Sequence, residues 1–151
     1  MKATFAAGCF WHVEEIFSKT NGITSTAVGY TGGNKENPTY EDVCTDLTGH
    51  AEAVQVEYDP EKISYRELVK IFFENHNPTT LNRQGPDVGT QYRSGIFYHD
   101  DDQKNTASDM IETLNPLAKE KFGTDIVTKV LPASKFYMAE EYHQKYFQKM
   151  S

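Results

Sequence analysis

The chain has 151 residues, with 15 Lys and Arg against 22 Asp and Glu, a formal charge of −7 and an isoelectric point near 5.2. That length suits a single domain over 1–151, long enough to bury a core without disulfides or metal. The acidic balance supplies no basic stripe for nucleic acid, and no run approaches the ~18 apolar residues of a membrane span. The segment before Cys9 has an outline like a lipoprotein signal, but its apolar part is too short and a charged helix follows at once. We expect a cytoplasmic protein. The two cysteines form no disulfide framework, so each is considered as a thiol.

In chain order, residues 3–8 read as a short buried strand. From Phe10 the period becomes helical, with Phe10, Val13, Ile16 and Phe17 on one stripe and Glu14, Glu15, Ser18 and Lys19 opposite. Asn21-Gly22 ends that helix, and Ile23–Tyr30 and Ala51–Tyr58 read as strands around a Gly/Pro-rich loop. Ser64 and Glu67 form a capping box for a helix reaching about His76. A long loop, Asn77–Thr90, precedes a strand over Gln91–His99. A helix from about Asp101, a strand near Ile126–Leu131 and a last helix near Ala139–Gln148 complete the chain. The pattern β-α-β-β-α-β predicts an α+β fold: a two-layer α/β sandwich, a ferredoxin-like (split βαβ) plait with a C-terminal α-β-α extension.

Cys9 sits between the first strand and the first helix, where unpaired N–H groups and the helix dipole favour thiolate. A small buried hydrophobe is the competing reading, and position alone leaves both open. Trp11 lies about a quarter turn off the apolar stripe, placed either to wall a pocket around that sulfur or to pack on a loop. Glu52 shares a strand face with Val54, Val56 and Tyr58. If that is the core face, desolvation makes its carboxyl a general acid; otherwise it is an exposed strand end. Tyr40 and Tyr92 each adjoin a Gly/Pro-rich loop, where functional groups are often displayed. A thiolate, a neutral carboxylic acid and phenol donors beside an aromatic wall suit attack on a polarised, uncharged centre. Cys9-x-x-His12 with Cys44 and His50 nominally supplies a zinc set, but the spacing is poor and no metal is expected. His76, His99 and His143 are expected at the surface or satisfied in the core.

Several blocks resemble the A-type peptide-methionine sulfoxide reductases. They are Gly8-Cys9-Phe10-Trp11, Gly29-Tyr30-Thr31-Gly32-Gly33, Asn37-Pro38-Thr39-Tyr40, Gly49-His50-Ala51-Glu52-Ala53-Val54, Glu74-Asn75-His76, Arg83-Gln84-Gly85, and Asp87 with Gly89-Thr90-Gln91-Tyr92-Arg93-Ser94. The resemblance implies reduction of methionine S-sulfoxide, free or in proteins. By the same resemblance, Cys9 attacks the sulfoxide sulfur and Glu52 protonates its oxygen. Tyr40 and Tyr92 hydrogen-bond that oxygen, Phe10 and Trp11 hold the methyl group, and Asp87 organises the site. Cys9 is left as a sulfenic acid. His12 stands where the family has glycine and is expected to face solvent.

Many members continue into a Gly-rich tail with recycling cysteines, whereas this sequence stops at Ser151. Cys44 is expected to be structural, so an external thiol completes the cycle; glutaredoxin with glutathione would suit a single-cysteine enzyme, with thioredoxin as the alternative. No bound cofactor is expected, and the expected state is a monomer. Two other classes remain to be weighed: a cysteine hydrolase using Cys9 with a histidine base, and a non-catalytic aromatic groove for Met-containing peptides.

Overall fold

Strand β1 (Lys2–Ala7) runs through the centre of a computed structural model that describes residues 1–150, with Ala3, Thr4, Phe5 and Ala6 all buried. Around it stand β2 (Ile23–Thr31), β3 (Ala51–Tyr58), β6 (Ser94–Tyr98), β7 (Lys129–Pro132) and β8 (Tyr137–Met138). The sheet order is β7-β6-β1-β3-β2-β8. The central four strands pair antiparallel, and only β6 and β7 are parallel. β1 and β2, joined by helix α1 (Phe10–Ser18), lie on either side of β3, which makes a split βαβ unit. The chain is α+β, with α1, α3 (Tyr65–Glu74) and α4 (Asp101–Phe122) packed on one face of the sheet.

Phe5 explains much of that packing. Its ring stacks with Phe17 at 5.3 Å, Phe72 at 5.2 Å and Tyr65 at 6.0 Å, so one strand residue joins α1 and α3 to the sheet. Each fully buried ring contributes about 2 kcal/mol from area alone. The opposite face carries a smaller cluster, Ala6, Ala51, Ala53 and Phe97, covered by Ala133 and Phe136. Among the described residues, no helix is long and apolar enough to cross a membrane.

The sequence pattern misplaces several elements. The expected polar face of α1 includes Glu14, yet that residue is 2% exposed, because Thr26 and the backbone of Lys145 close over it. The Gly/Pro-rich loop before β3 contains a short helix α2 (Tyr40–Cys44), whose N-cap Thr39 forms a capping box with Asp42. The Ser64 hydroxyl does accept from Glu67 N–H, but the Glu67 carboxylate meets the Ser64 hydroxyl instead of its backbone.

The loop Asn77–Thr90 holds a hairpin of β4 (Arg83–Gln84) and β5 (Asp87–Val88). Gln91 and Tyr92 belong to a 3-10 turn before β6, and β7 starts only at Lys129. The largest miss is the last helix, expected over Ala139–Gln148. Its residues instead form the end of an extended segment, a 3-10 turn at Glu141–His143, and helix α5 (Tyr146–Met150). Gln144 explains why: its side-chain amide accepts from Val28 N–H and donates to Val28 C=O, both at 2.9 Å, and so stands in for a strand partner of β2.

Candidate active site

Cys9 is the extended N-cap of α1, directly after Gly8 in a left-handed conformation (φ 88°). Gly8 is needed for its backbone and for space: a Cβ there would meet Gln84 Cγ at 2.7 Å. Gln84 also clasps the Asn77 backbone, accepting from its N–H at 2.9 Å and donating to its C=O at 2.8 Å. The hairpin carrying Asp87 is thereby docked beside the cysteine, close enough for the Asp87 charge to act on Cys9, Glu52 and Tyr92.

The expected Cys9 thiolate is not what the site favours at rest. Burial pushes the thiol up to about 11, and the Glu52 and Asp87 carboxylates push the same way. The backbone N–H groups of Trp11 and His12 pull it down without offsetting burial. The helix start thus supports the anion, but desolvation wins.

Glu52 lies on the Val54 face of β3, which is the core face, and is 2% exposed. Its Oε1 accepts from Phe10 N–H at 3.4 Å, while Oε2 is buried with no partner among the described residues. Burial raises this carboxyl to about 8; the Phe10 N–H opposes the shift and Asp87 adds to it. Near neutral pH Glu52 is held mainly as the acid, with a free oxygen.

Tyr40 begins α2, and burial, reinforced by the Cys44 thiol it hydrogen-bonds, moves its phenol far above the usual tyrosine value. Tyr92 is pushed up to about 12 by burial and by the charges of Glu52 and Asp87. Both phenols remain donors over the working pH range. Tyr92 is located by Thr90, whose N–H donates to Asp46 at 2.8 Å, and by Arg93, which reaches Thr90 C=O and Gly49 C=O at 2.9 Å each.

Phe10 is 1% exposed and packs against Tyr30 and His143, so it forms the floor of the site as part of the core. Trp11 is half-buried; its indole stacks on Tyr146 at 3.8 Å and donates to His143 Nδ1 at 3.0 Å. Cys9, Phe10, Tyr40, Glu52, Asp87 and Tyr92 are therefore near one another, with Trp11 linked to Tyr40 through His143; His12 is exposed beside Phe147 as expected.

Two participants escaped the sequence reading. Glu140 accepts from Tyr30 O–H and Tyr40 N–H, both at 3.0 Å, and so ties the C-terminal segment to α2. Burial alone would raise its carboxyl, but those hydrogen bonds and nearby His143 hold it below the ordinary glutamate value. No periodicity or spacing marks it, since it lies a hundred residues from Tyr40 in sequence. His143 is neither a surface nor a satisfied core residue: it is 1% exposed, tilted against Tyr40 at 4.6 Å, and its Nε2 has no partner among the described residues.

The zinc reading fails on His50, whose Nδ1 accepts from Gly33 N–H at 3.0 Å and whose Nε2 meets Lys35 C=O at 2.7 Å. Both ring nitrogens are occupied by backbone. The hydrolase reading fares no better. His76 bonds Phe72 C=O and Ser94, His99 bonds Thr4, His143 accepts from Trp11 and His12 is exposed against Phe147; among the described residues no histidine ring is hydrogen-bonded to Cys9.

The family model for peptide methionine sulfoxide reductase matches residues 1–151. A relative named peptide methionine sulfoxide reductase MsrA, from Methanothermobacter thermautotrophicus, is 58% identical over 149 residues, covering 98% of this chain and 86% of its own. Among solved structures, methionine sulfoxide reductase A of Corynebacterium diphtheriae superposes with a TM-score of 0.94 at 39% identity, covering 98% of this chain and 74% of that one. Reduced Mxr1 of Saccharomyces cerevisiae gives a TM-score of 0.91 at 41% identity, covering 99% and 84%. The yeast protein has also been solved in complex with Trx2, a form that superposes with a TM-score of 0.66 at 31% identity, covering 97% and 84%. Identity at this level across nearly every residue, on a shared fold, means that the chain belongs to the MsrA family of peptide methionine sulfoxide reductases and is an oxidoreductase of that kind.

Proposed function

We propose that the chain reduces methionine-(S)-sulfoxide, free or in oxidised proteins, through Cys9 and a sulfenic acid intermediate. The observation that carries this reading is Glu52, a buried carboxylic acid with one unpartnered oxygen beneath the helix start that bears Cys9. A sulfoxide is a poor electrophile until its oxygen is protonated, and an acid raised to about 8 supplies that proton near neutral pH. Tyr40 and Tyr92 donate to the same oxygen, Trp11 and Phe10 receive the methyl group, and Asp87 fixes the site from its hairpin.

As the sulfoxide sulfur becomes cationic, the Cys9 sulfur attacks and its proton passes to the Glu52 carboxylate. That attack joins the two sulfurs. The S–S and S–O bonds then both break as the protonated oxygen moves, as hydroxyl, from the sulfoxide sulfur to Cys9 and the thioether leaves. The sulfoxide sulfur gains two electrons and Cys9 loses two, so the products are methionine and Cys9 sulfenic acid. The high resting thiol value suits this order, because a thiol that ionises only when substrate is polarised resists oxidation without substrate.

An external thiol then attacks the sulfenic sulfur, releasing water, and a second thiol frees Cys9. Thioredoxin is the reductant we favour over glutaredoxin with glutathione, on the analogy of Mxr1 solved with Trx2. Cys44 is exposed and engaged with Tyr40, and we assign it no step. The setting is repair of oxidised proteins in the cytoplasm.

The test is a racemic methionine sulfoxide peptide incubated with dithiothreitol and followed by chiral chromatography. Loss of the S-epimer alone is the expected outcome. Binding without turnover would leave only a peptide-binding groove.

A further inference from the structure

The mechanism does not use Glu14, although its carboxylate is as deeply buried as that of Glu52. It lies on α1 three residues after Trp11, hence on a neighbouring part of the helix surface. Oε2 accepts from the Thr26 hydroxyl at 2.8 Å, and Oε1 accepts from the backbone N–H of Lys145 at 2.6 Å. Lys145 has a left-handed backbone, φ 52°, which a non-glycine residue keeps only where its surroundings hold it. It stands between the two residues that grip Trp11: His143, which accepts the indole N–H, and Tyr146, which stacks on the indole within 8° of parallel.

We infer that Glu14 is a positioning residue for Trp11: by holding the Lys145 amide it sets the kink that brings His143 and Tyr146 against the indole. One side chain serves two partners: its Oε2 receives the strand hydroxyl of Thr26 while its Oε1 receives the Lys145 amide. Orienting Oε2 through Thr26 fixes the direction of Oε1, and α1 then holds the last segment at two points three residues apart. The functional consequence rests on the proposed role of Trp11 in holding the substrate methyl group.

Trp11 is the only tryptophan in the chain, so its emission reports the indole environment apart from turnover. In Glu14→Ala we expect red-shifted emission as His143 and Tyr146 withdraw, with KM for a methionine sulfoxide peptide raised about tenfold and kcat within about twofold. Glu14→Gln retains an acceptor for the Lys145 amide and turns its NH2 to the Thr26 hydroxyl, which accepts as well as donates, so it is expected to restore both emission and KM. Thr26→Val leaves Glu14 in place but releases Oε2, and should shift emission the same way with a smaller rise in KM; it serves as the test if Glu14→Ala does not fold. Unchanged emission in folded Glu14→Ala, or in Thr26→Val if Glu14→Ala is unfolded, overturns the inference. So does a Glu14→Gln variant that behaves like Glu14→Ala. A shifted emission with an unchanged KM supports the positioning of Trp11 and instead refutes its role in the substrate pocket.

Discussion

The backbone N–H of Phe10 points at Glu52 Oε1 from 3.4 Å, so the residue that follows Cys9 also holds the Glu52 carboxyl. The hydrogen bond is long, and it lowers the carboxyl less than burial raises it. A helix start thus meets a strand carboxyl in a dry place, with the balance tipped towards the protonated form. Glu52 with a value near 8 is an acid at pH 7 and a carboxylate at pH 9.

The rate should therefore fall as pH rises through about 8, since the proton donor is lost and the new charge pushes the Cys9 thiol further up. Glu52→Gln should slow reduction by roughly 10²- to 10⁴-fold at pH 7 and flatten this alkaline limb. A kcat/KM profile of Glu52→Gln that matches wild type would remove Glu52 as the acid.

The same shift has a stability consequence of known sign. A carboxyl raised on folding favours the native state below its unfolded value near 4.5, and that advantage is lost as pH climbs to about 8. Glu52→Gln, uncharged throughout, should melt at a higher temperature than wild type at pH 9, with the difference shrinking at pH 5. Thermal melts at the two pH values check this.

Cys9→Ser should abolish sulfoxide reduction while keeping the circular dichroism spectrum of the wild type, because the N-cap backbone and its surrounding contacts remain. Measurable turnover in that variant would require another nucleophile.

Glu140→Ala should lose two charge-assisted hydrogen bonds, costing about 2 kcal/mol and lowering the melting temperature by roughly 6 °C. Because one of those bonds anchors Tyr40, turnover should fall more than Tyr30→Phe alone would cause, since that change spares the Tyr40 contact. Equal activities in the two variants would show that Glu140 acts only on Tyr30.

Cys44→Ser should still turn over with thioredoxin or glutaredoxin. Formation of one equivalent of methionine followed by arrest would instead make Cys44 the resolving thiol.

The sequence by itself determined the elements with strong local signals. The alternation of Ala51–Tyr58 placed Glu52 on the valine face, and the switch of period at Phe10 put Cys9 at a helix start. Local pattern suffices there because side-chain direction repeats every two residues in a strand and every 3.6 in a helix. It also made Tyr40 and Tyr92 candidates, whereas Asp87 entered only through resemblance to a family. The tertiary structure decided what depends on distant partners: Glu14 reads as a surface residue until Thr26 and Lys145 cover it, and the run after Ala139 reads as helix until Gln144 pairs with β2. Above all it decided protonation. The helix start argues for a Cys9 thiolate, but burial is a property of the assembled core, and it reverses that expectation while making Glu52 an acid.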